Sequence, residues 1–372
     1  MRLPVALALS LLLSNLACAK KKEPEDWDIS SSPRWAKSWA ATLSEGTWMS
    51  VDVHPSGERL VFDLLGDLYE LPSGGGEATR LTDGPSWDND PRYSPDGERL
   101  LFVSDRDGNQ ELHILELKTG VTTKLTEGRP ERFVEGEWSP DGQRVLARKR
   151  ITDTRSIGMC ELWLLDAKGG ADGVRLTTTD ELPFPNDATF SNDGRSIYFS
   201  STPARFQYNQ DPNNGLWELI HLDLETGERR QLTGESGGAF RPAVNPKTGE
   251  LAILRRVAGK TVLERYDPAS GARSRLGALE LDHDNQEGFT LNGVYPHTSF
   301  TPDGKNIVLW SKGKLVSVDA QGGVALPIPF SAKADHKLAA PVRFKHPVAK
   351  ADEVRSKMLR WPSVSPKGDQ IV

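Results

Sequence analysis

The 372-residue sequence predicts an all-β fold: a β-propeller of four-stranded antiparallel blades, six complete and a seventh begun. Three observations predict it. A tight turn recurs as His54-Pro55-Ser56-Gly57, Ser94-Pro95-Asp96-Gly97, Ser139-Pro140-Asp141-Gly142, Ser191-Asn192-Asp193-Gly194, Asn245-Pro246-Lys247-Thr248-Gly249, Thr301-Pro302-Asp303-Gly304 and Ser365-Pro366-Lys367-Gly368. A second marker ends the fourth strand at matched offsets, as Arg80-Leu81-Thr82, Lys124-Leu125-Thr126, Arg175-Leu176-Thr177 and Gln231-Leu232-Thr233. Between the markers lie apolar or alternating runs of strand length. Turn spacing grows from 40 residues (Gly57 to Gly97) to 64 (Gly304 to Gly368). Periods from about 40 upwards, with four strands each, are the signature of blades. One blade cannot bury both faces alone, so neighbours must stack around an axis.

Tyr93 to Leu117 shows the unit most plainly. A short strand ends at Ser94. Pro95-Asp96-Gly97 turns the chain, because Asp and Gly tolerate the positive φ of tight hairpins. Arg99 to Val103 is nearly all apolar, as a strand covered on both faces is. Glu111 to Leu117 alternates polar and apolar residues, and Thr122 to Leu125 makes the fourth strand.

The other copies follow this one. Blade one runs from Trp48 to Thr82, with Val61 to Leu65 and Asp67 to Leu71 joined at Gly66. Its glycines 74–76 precede no helix and no Lys-Ser/Thr pair, so they make a turn and not a phosphate loop. Blades three and four carry insertions, 151–159 and 203–214, of the kind on which propellers gain specific surfaces. Blade five spans Phe240 to Leu276; blade six follows from Val294, with Asn306 to Trp310 and Lys314 to Val318 as middle strands. The tail from Pro327 to Lys357 is locally basic and is expected to pack on the propeller or on another module. A seventh inner strand begins at Trp361, and the sequence ends inside the strand after it. The circle is therefore expected to be cut before it is finished, in a piece of a longer chain.

Hydrophobic content of 37% and charged content of 26% describe a globular chain. A net charge of −6 without a basic stripe argues against nucleic acid as a partner. Met1-Arg2 followed by Val5 to Leu13 reads as a signal peptide over residues 1–19, too short to span a bilayer. Ordinary cleavage around Ala17-Cys18-Ala19 and lipidation of Cys18 both stay open. Either makes the chain exported, to the periplasm, the envelope or the medium, with a lipid anchor as its only membrane contact. Residues 20–46 read as a charged tether, with Trp27, Trp35 and Trp39 expected to lie against the propeller, and 47–372 as the propeller itself. Cys160 has no partner in the mature chain and reads as a small residue packed at a strand start.

In a propeller, the loop from one outermost strand to the next innermost strand runs over one face towards the channel. That brings Asp88, Asp90 and Arg92 to the mouth between blades one and two. Arg129, Arg132, Glu135 and Glu137 arrive before blade three, Asp180, Glu181 and Asp187 before blade four, and Arg241 before blade five. Asp88, Asp90, Arg92, Arg132, Glu135, Asp187 and Arg241 are the binding candidates. The plainer reading is that these groups solvate a water-filled channel. Ser104 to Asn109 has too few spaced acids for a calcium loop. Asp282-His283-Asp284 offers ligand atoms, but adjacent residues of an extended segment splay apart. No His-x-His, His-Glu-x-x-His or Gly-x-Ser-x-Gly spacing is present, so no catalytic residue, metal or cofactor is expected in this chain.

Ser94 to Leu117 resembles the propeller repeat of TolB-like proteins. Glu45 to Thr82, Trp87 to Gly97, Gly293 to Pro296 and Lys357 to Asp369 resemble the amino-terminal propeller of bacterial secreted amidohydrolases. In that family a metal-dependent barrel with His-x-His ligands follows the propeller. The resemblance implies a hydrolase for the parent protein and an accessory, non-catalytic module for these residues. Any metal would belong to the missing catalytic domain, and the partner would be that domain or another envelope protein. The alternative is a TolB-like interaction scaffold, acting with a peptidoglycan-associated lipoprotein. Lys20 to Gly46 is too short for the α/β domain that precedes the TolB propeller. A third class, the propeller cap of a serine peptidase, also needs a catalytic domain outside these residues.

Overall fold

The computed structural model describes residues 35–151, 158–170, 173–182, 184–202, 216–277, 279, 281–284, 294–339, 358 and 360–371. Among them there is no helix, and the strands form six sheets. A first strand, β1 (Trp35–Leu43), precedes the blades. Blade one is β2 (Val51–Val53), β3 (Arg59–Leu64), β4 (Asp67–Pro72) and β5 (Gly76–Arg80). Blade two is β6 (Asn89–Tyr93), β7 (Arg99–Ser104), β8 (Glu111–Glu116) and β9 (Val121–Lys124). Blade three is β10 (Arg132–Trp138), β11 (Arg144–Ile151), β12 (Met159–Asp166) and β13 (Val174–Arg175). Blade four is β14 (Asn186–Phe190), β15 (Ser196–Ser201), β16 (Glu218–Asp223) and β17 (Arg229–Gln231). Blade five is β18 (Phe240–Val244), β19 (Leu251–Val257), β20 (Lys260–Tyr266) and β21 (Arg273–Arg275). Blade six is β22 (Ser299–Phe300), β23 (Asn306–Ser311), β24 (Lys314–Asp319) and β25 (Leu326–Ile328). A last strand, β26 (Phe330–Ala339), returns to blade one.

Strand alternation explains the stacking. In β7, Leu100 and Phe102 join Val61 and Leu68 of blade one, while Leu101 and Val103 join Phe133 and Val145 of blade three. The same division sends Leu146 and Leu162 against Phe190 and Phe199 of blade four, and Tyr198 and Leu219 against Leu251 and Ile253 of blade five. One large cluster joins blades five, six and one through Leu254, Leu263, Leu309, Met49, Val51 and Phe62. Each such side chain contributes roughly 1.5–3 kcal/mol on burial.

The turns form a second ring, on the opposite face from the interblade loops. Each of several turn glycines has positive φ and faces the turn of the preceding blade: Gly57 beside Pro302, Gly142 beside Pro95, Gly194 beside Pro140. Gly97 lies against the His54 ring, whose Nε2 is 3.1 Å from the Gly97 carbonyl oxygen. The Gly57–Pro302 contact is the seam between blades one and six, and Val51 N donates across the same seam to His297 O at 3.3 Å. Six blades therefore close the ring. The expectation of a circle left unfinished is corrected. The seventh turn folds as a turn, with Gly368 N donating to Ser365 O at 2.9 Å, but no atom comes within 4 Å of a Cβ built on Gly368. Its neighbour Trp361 is 88% exposed, so this copy takes no place in the ring.

Of residues 20–46, read as a tether whose tryptophan part lies against the propeller, 20–34 lie outside the described residues, and the part that follows is a regular strand. Trp35–Leu43 is strand β1, paired antiparallel with β26, which itself runs parallel to β5 over Phe330–Ala332. Phe330 packs 4.9 Å from the Phe62 ring, and Ala332 and Ala334 are buried. The described part of the basic tail thus packs on the propeller as expected, and the tryptophan segment lies on it in turn. Of the insertions 151–159 and 203–214, residues 152–157 and the whole of 203–214 lie outside the described residues.

Gly97 tests the turn ring. A Cβ added at this position would press into the His54 ring at Nε2, with φ at +74°, whereas at Gly120 (φ +71°) nothing lies within 4 Å. Urea titration should show Gly120→Ala costing about 1 kcal/mol for the backbone alone. Gly97→Ala should cost at least about 1 kcal/mol more.

Candidate functional site

Counting four residues back from the first residue of each ring-forming turn gives Ser50, Asp90, Glu135, Asp187, Arg241 and His297. All six are buried. They gather at the channel, and in blades two to five the inner strand is bulged there. The pairing register slips between Asn89 and Arg92, Phe133 and Glu135, Asn186 and Thr189, and Phe240 and Ala243. A bulge frees a backbone N–H from its own ladder and re-aims a side chain. Asp90, Asp187 and Arg241 have φ of 56°, 54° and 51°, which non-glycine residues rarely adopt.

The freed groups tie blade to blade at every seam. Asp63 of blade one accepts from Ser50 N at 2.6 Å and from Asp90 N of blade two at 3.2 Å. Arg92 Nε donates to Glu137 Oε2 of blade three at 3.1 Å, while Arg92 Nη2 holds Asp90 Oδ1 at 2.8 Å. Glu135 Oε2 accepts from Asp187 N of blade four at 3.1 Å. Asp187 Oδ2 accepts from Arg241 N of blade five at 3.3 Å, and Oδ1 pairs with Arg241 Nη2 at 3.2 Å. Arg241 Nε donates to Tyr295 O, ahead of blade six, at 2.7 Å. His297 N donates to Ser50 Oγ at 3.2 Å, and Ser299 Oγ donates to Asp52 Oδ1 at 2.7 Å, which returns to blade one.

Inside this belt, Arg92, Glu135, Arg148, Asp187, Arg241 and His297 surround a cavity of about 10 Å³, room for one water. Arg148 pairs with Glu135 at 3.2 Å, and Cys160 Sγ lies 4.0 Å from Arg148 Nη1. Burial pushes the Cys160 thiol up, as suits a packed residue and not a nucleophile. Burial also pushes Glu135, Glu137 and Asp63 up to about 7, against the pull of Arg148 on Glu135 and of Arg92 on Glu137. It drives His297 well below its ordinary value, with Arg92 and Arg241 adding to the effect.

Of the residues named from sequence, Asp90, Arg92, Glu135, Asp187 and Arg241 meet around the channel. Asp88 is buried one step outward, accepting from Ser104 Oγ at 2.6 Å and pairing with Arg106 at 2.9 Å. Arg132, at the start of β10, is exposed and does not join them. Sequence reasoning missed Asp52, Asp63, Arg148 and His297. The count from each turn would have found His297 and Ser50; Asp63 and Arg148 lie on second strands and carry no such marker. Asp282 and Asp284 do splay apart: Asp282 Oδ2 accepts from Lys312 N at 2.8 Å, and Asp284 Oδ2 accepts from Thr261 Oγ1 at 2.7 Å. No group of three or more His, Cys, Asp or Glu suited to a metal ion occurs among the described residues. Cys18 lies outside them.

The raised carboxylates set a pH dependence. In the unfolded chain these groups titrate near their ordinary values, so between about pH 4.5 and 7 the folded state holds more protons. Their contribution is complete below the unfolded pKa and is lost as pH rises through about 7. Urea midpoints should therefore fall from about pH 5 to about pH 8, on the order of 1 kcal/mol per group. Glu137→Gln should flatten that fall. A midpoint that rises over this window contradicts the account.

The fold recurs in known proteins. The uncharacterized peptidase YuxL of Bacillus subtilis is 28% identical over 180 residues, 48% of this chain and 23% of that protein. The Tol-Pal system protein TolB of Helicobacter hepaticus is 28% identical over 197 residues, 49% of this chain and 45% of its own. The chain thus spans less than half the length of either relative. The structure of a putative TolB from Agrobacterium tumefaciens superposes with a TM-score of 0.54 at 18% identity, over 72% of this chain and 95% of that one. The model of the tricorn protease N-terminal β-propeller domain matches residues 49–323, and the chain belongs to that family.

Proposed function

We propose that this propeller is an exported, non-catalytic recognition module whose loop-bearing face docks another protein of the cell envelope. The observation that carries the reading is an exposed apolar pair on that face. Leu65 is 50% exposed and Trp87 54% exposed, on either side of Gly66. The Trp87 ring lies 3.5 Å from a Cβ position on Gly66, and Asp88 N donates to Gly66 O at 2.8 Å, which holds the loop in place. A fixed, exposed tryptophan has the character of an interface hot spot. The likeness to TolB proteins supports an envelope partner. The amino-terminal run before residue 20 supports export, with Cys18 as the lipid attachment point in the anchored form.

A second reading has a specific observation in its favour. The chain covers only 23% of the peptidase YuxL, so in that relative most of the protein lies outside the matched part. The same loop face would then dock a hydrolase domain, of the amidohydrolase kind expected above, and the propeller would orient it.

Binding of the purified chain to a peptidoglycan-associated lipoprotein should be saturable, and Trp87→Ala with Leu65→Ser should weaken it at least about tenfold. No binding sinks the envelope-scaffold reading and leaves the hydrolase accessory. Measurable hydrolysis of amide substrates by this chain with added zinc would contradict both.

A further inference from the structure

Comparison of the blades with one another exposes a site on blade one. In four blades the third strand carries an acid before a leucine: Asp67-Leu68, Glu111-Leu112, Glu161-Leu162 and Glu218-Leu219. The leucine N–H donates to the threonine that ends the blade, at 3.0 Å to Thr82 and Thr126 and 2.9 Å to Thr177 and Thr233. In blades two and four the threonine hydroxyl donates in turn to the acid, at 2.6 Å to Glu111 and 2.7 Å to Glu218. Blade one has the shorter Asp67, and no bond from Thr82 reaches it among the described residues. Asp67 is 1% exposed and turns instead to Arg80 Nη2 at 2.8 Å and His336 Nε2 at 3.5 Å. His336 belongs to β26, and Arg80 also pairs with Asp335 of that strand.

Above this cluster opens a cavity of about 370 Å³. The β1–β26 ribbon forms one wall with Ser38, His336 and Lys337; residues 83–85 form the other; Arg80 lies between them. Its volume falls in the range of small-molecule sites. Arg80 is shared by Asp67 and Asp335 and also donates to Thr82 O at 2.9 Å, so it has no free charge to offer. Two lining charges have no ion-pair partner among the described residues, Asp83 on the loop wall and Lys337 on the ribbon wall. They are of opposite sign. A polyphosphate needs several free cations and a polyamine several free acids. One free charge of each sign, on facing walls, matches a zwitterion.

We propose that this cavity binds a zwitterion of amino-acid to dipeptide size, its ammonium at Asp83 and its carboxylate at Lys337, with Arg80 as the fixed floor. The proposal does not rest on the partner surface at Trp87. Among the described residues, β26 and β1 cover the edge of blade one alone.

Isothermal titration of the full chain with L-alanyl-L-phenylalanine tests it, with the N-acetylated amide of the same dipeptide as the uncharged counterpart. The zwitterion should saturate at or below the order of 1 mM, and the capped form should not. Asp83→Asn and Lys337→Gln, both on solvent-facing segments, should each weaken the zwitterion at least about tenfold. Asp83→Asn should leave Lys337 able to discriminate the free acid from the amide. The proposal is overturned if the dipeptide fails to saturate, if the capped form binds equally well, or if both variants bind like the parent.

Discussion

Six seams must be held at the channel, and each is held by a directional bond from one blade to the next. Apolar blade faces supply most of the attraction, but apolar contact is non-directional and does not fix how far one sheet turns against its neighbour. Hydrogen bonds to charged groups do, at roughly 1.5–3 kcal/mol each. At three of the seams the inner-strand bulges make them available. Asp90, Asp187 and Arg241 sit in a backbone region that costs of order 1 kcal/mol or more per residue. In return their N–H groups leave their own ladders and meet Asp63, Glu135 and Asp187. Strain inside a blade is thus exchanged for fixed geometry between blades.

The belt also accounts for ring size. The blade six to blade one seam uses the same devices as the others: a turn glycine against the previous turn, an inner-strand N–H to a neighbouring acceptor, an apolar layer from Leu309 to Met49. Nothing at that seam is left for a further blade. Closure, however, leaves the outer edge of blade one as a strand whose backbone can still pair, and a free edge invites further strands. β26 takes it, in parallel, and β1 pairs outside β26.

The fold was legible in the sequence because turn chemistry is local. The Ser-Pro-Asp-Gly corners, with Ser94 Oγ accepting from Arg99 N at 3.0 Å and Ser139 Oγ from Arg144 N at 2.9 Å, are set by residues within one turn. The middle strands around Leu100 and Ile307 were read from apolar runs and were found where expected. The ring count was not legible, because closure depends on the angle between blades and not on any residue type. β1 was missed since its one partner lies some 300 residues away, with Trp39 opposite His336. Most channel residues were legible as loop polarity. Their roles were not, because a carboxylate that faces water and one that accepts a neighbour's N–H look alike in sequence.

That last distinction decides where recognition can occur on this molecule. An acid already bonded across a seam cannot be offered to a ligand without loosening two blades, since breaking one partner leaves a buried charge uncompensated. Glu135, Asp187 and Asp90 are in that position. Groups able to change partners without that penalty lie outside the belt, on the loops and at the covered edge of blade one. There the repeat varies: Asp67 stands where blades two and four place a glutamate that bonds the threonine ending the blade, while Glu161 of blade three turns to Trp163 and Arg175. A repeated fold makes such a departure readable. Those copies ask no more than stability of the position, so the copy that gives up the bond must gain its stability from new neighbours, and here the neighbours are Arg80 and the β26 ribbon. Deleting the ribbon would strip Asp67 of its contact with His336 and leave Arg80 without Asp335, which is why the edge strand and the altered acid belong together as one structural unit.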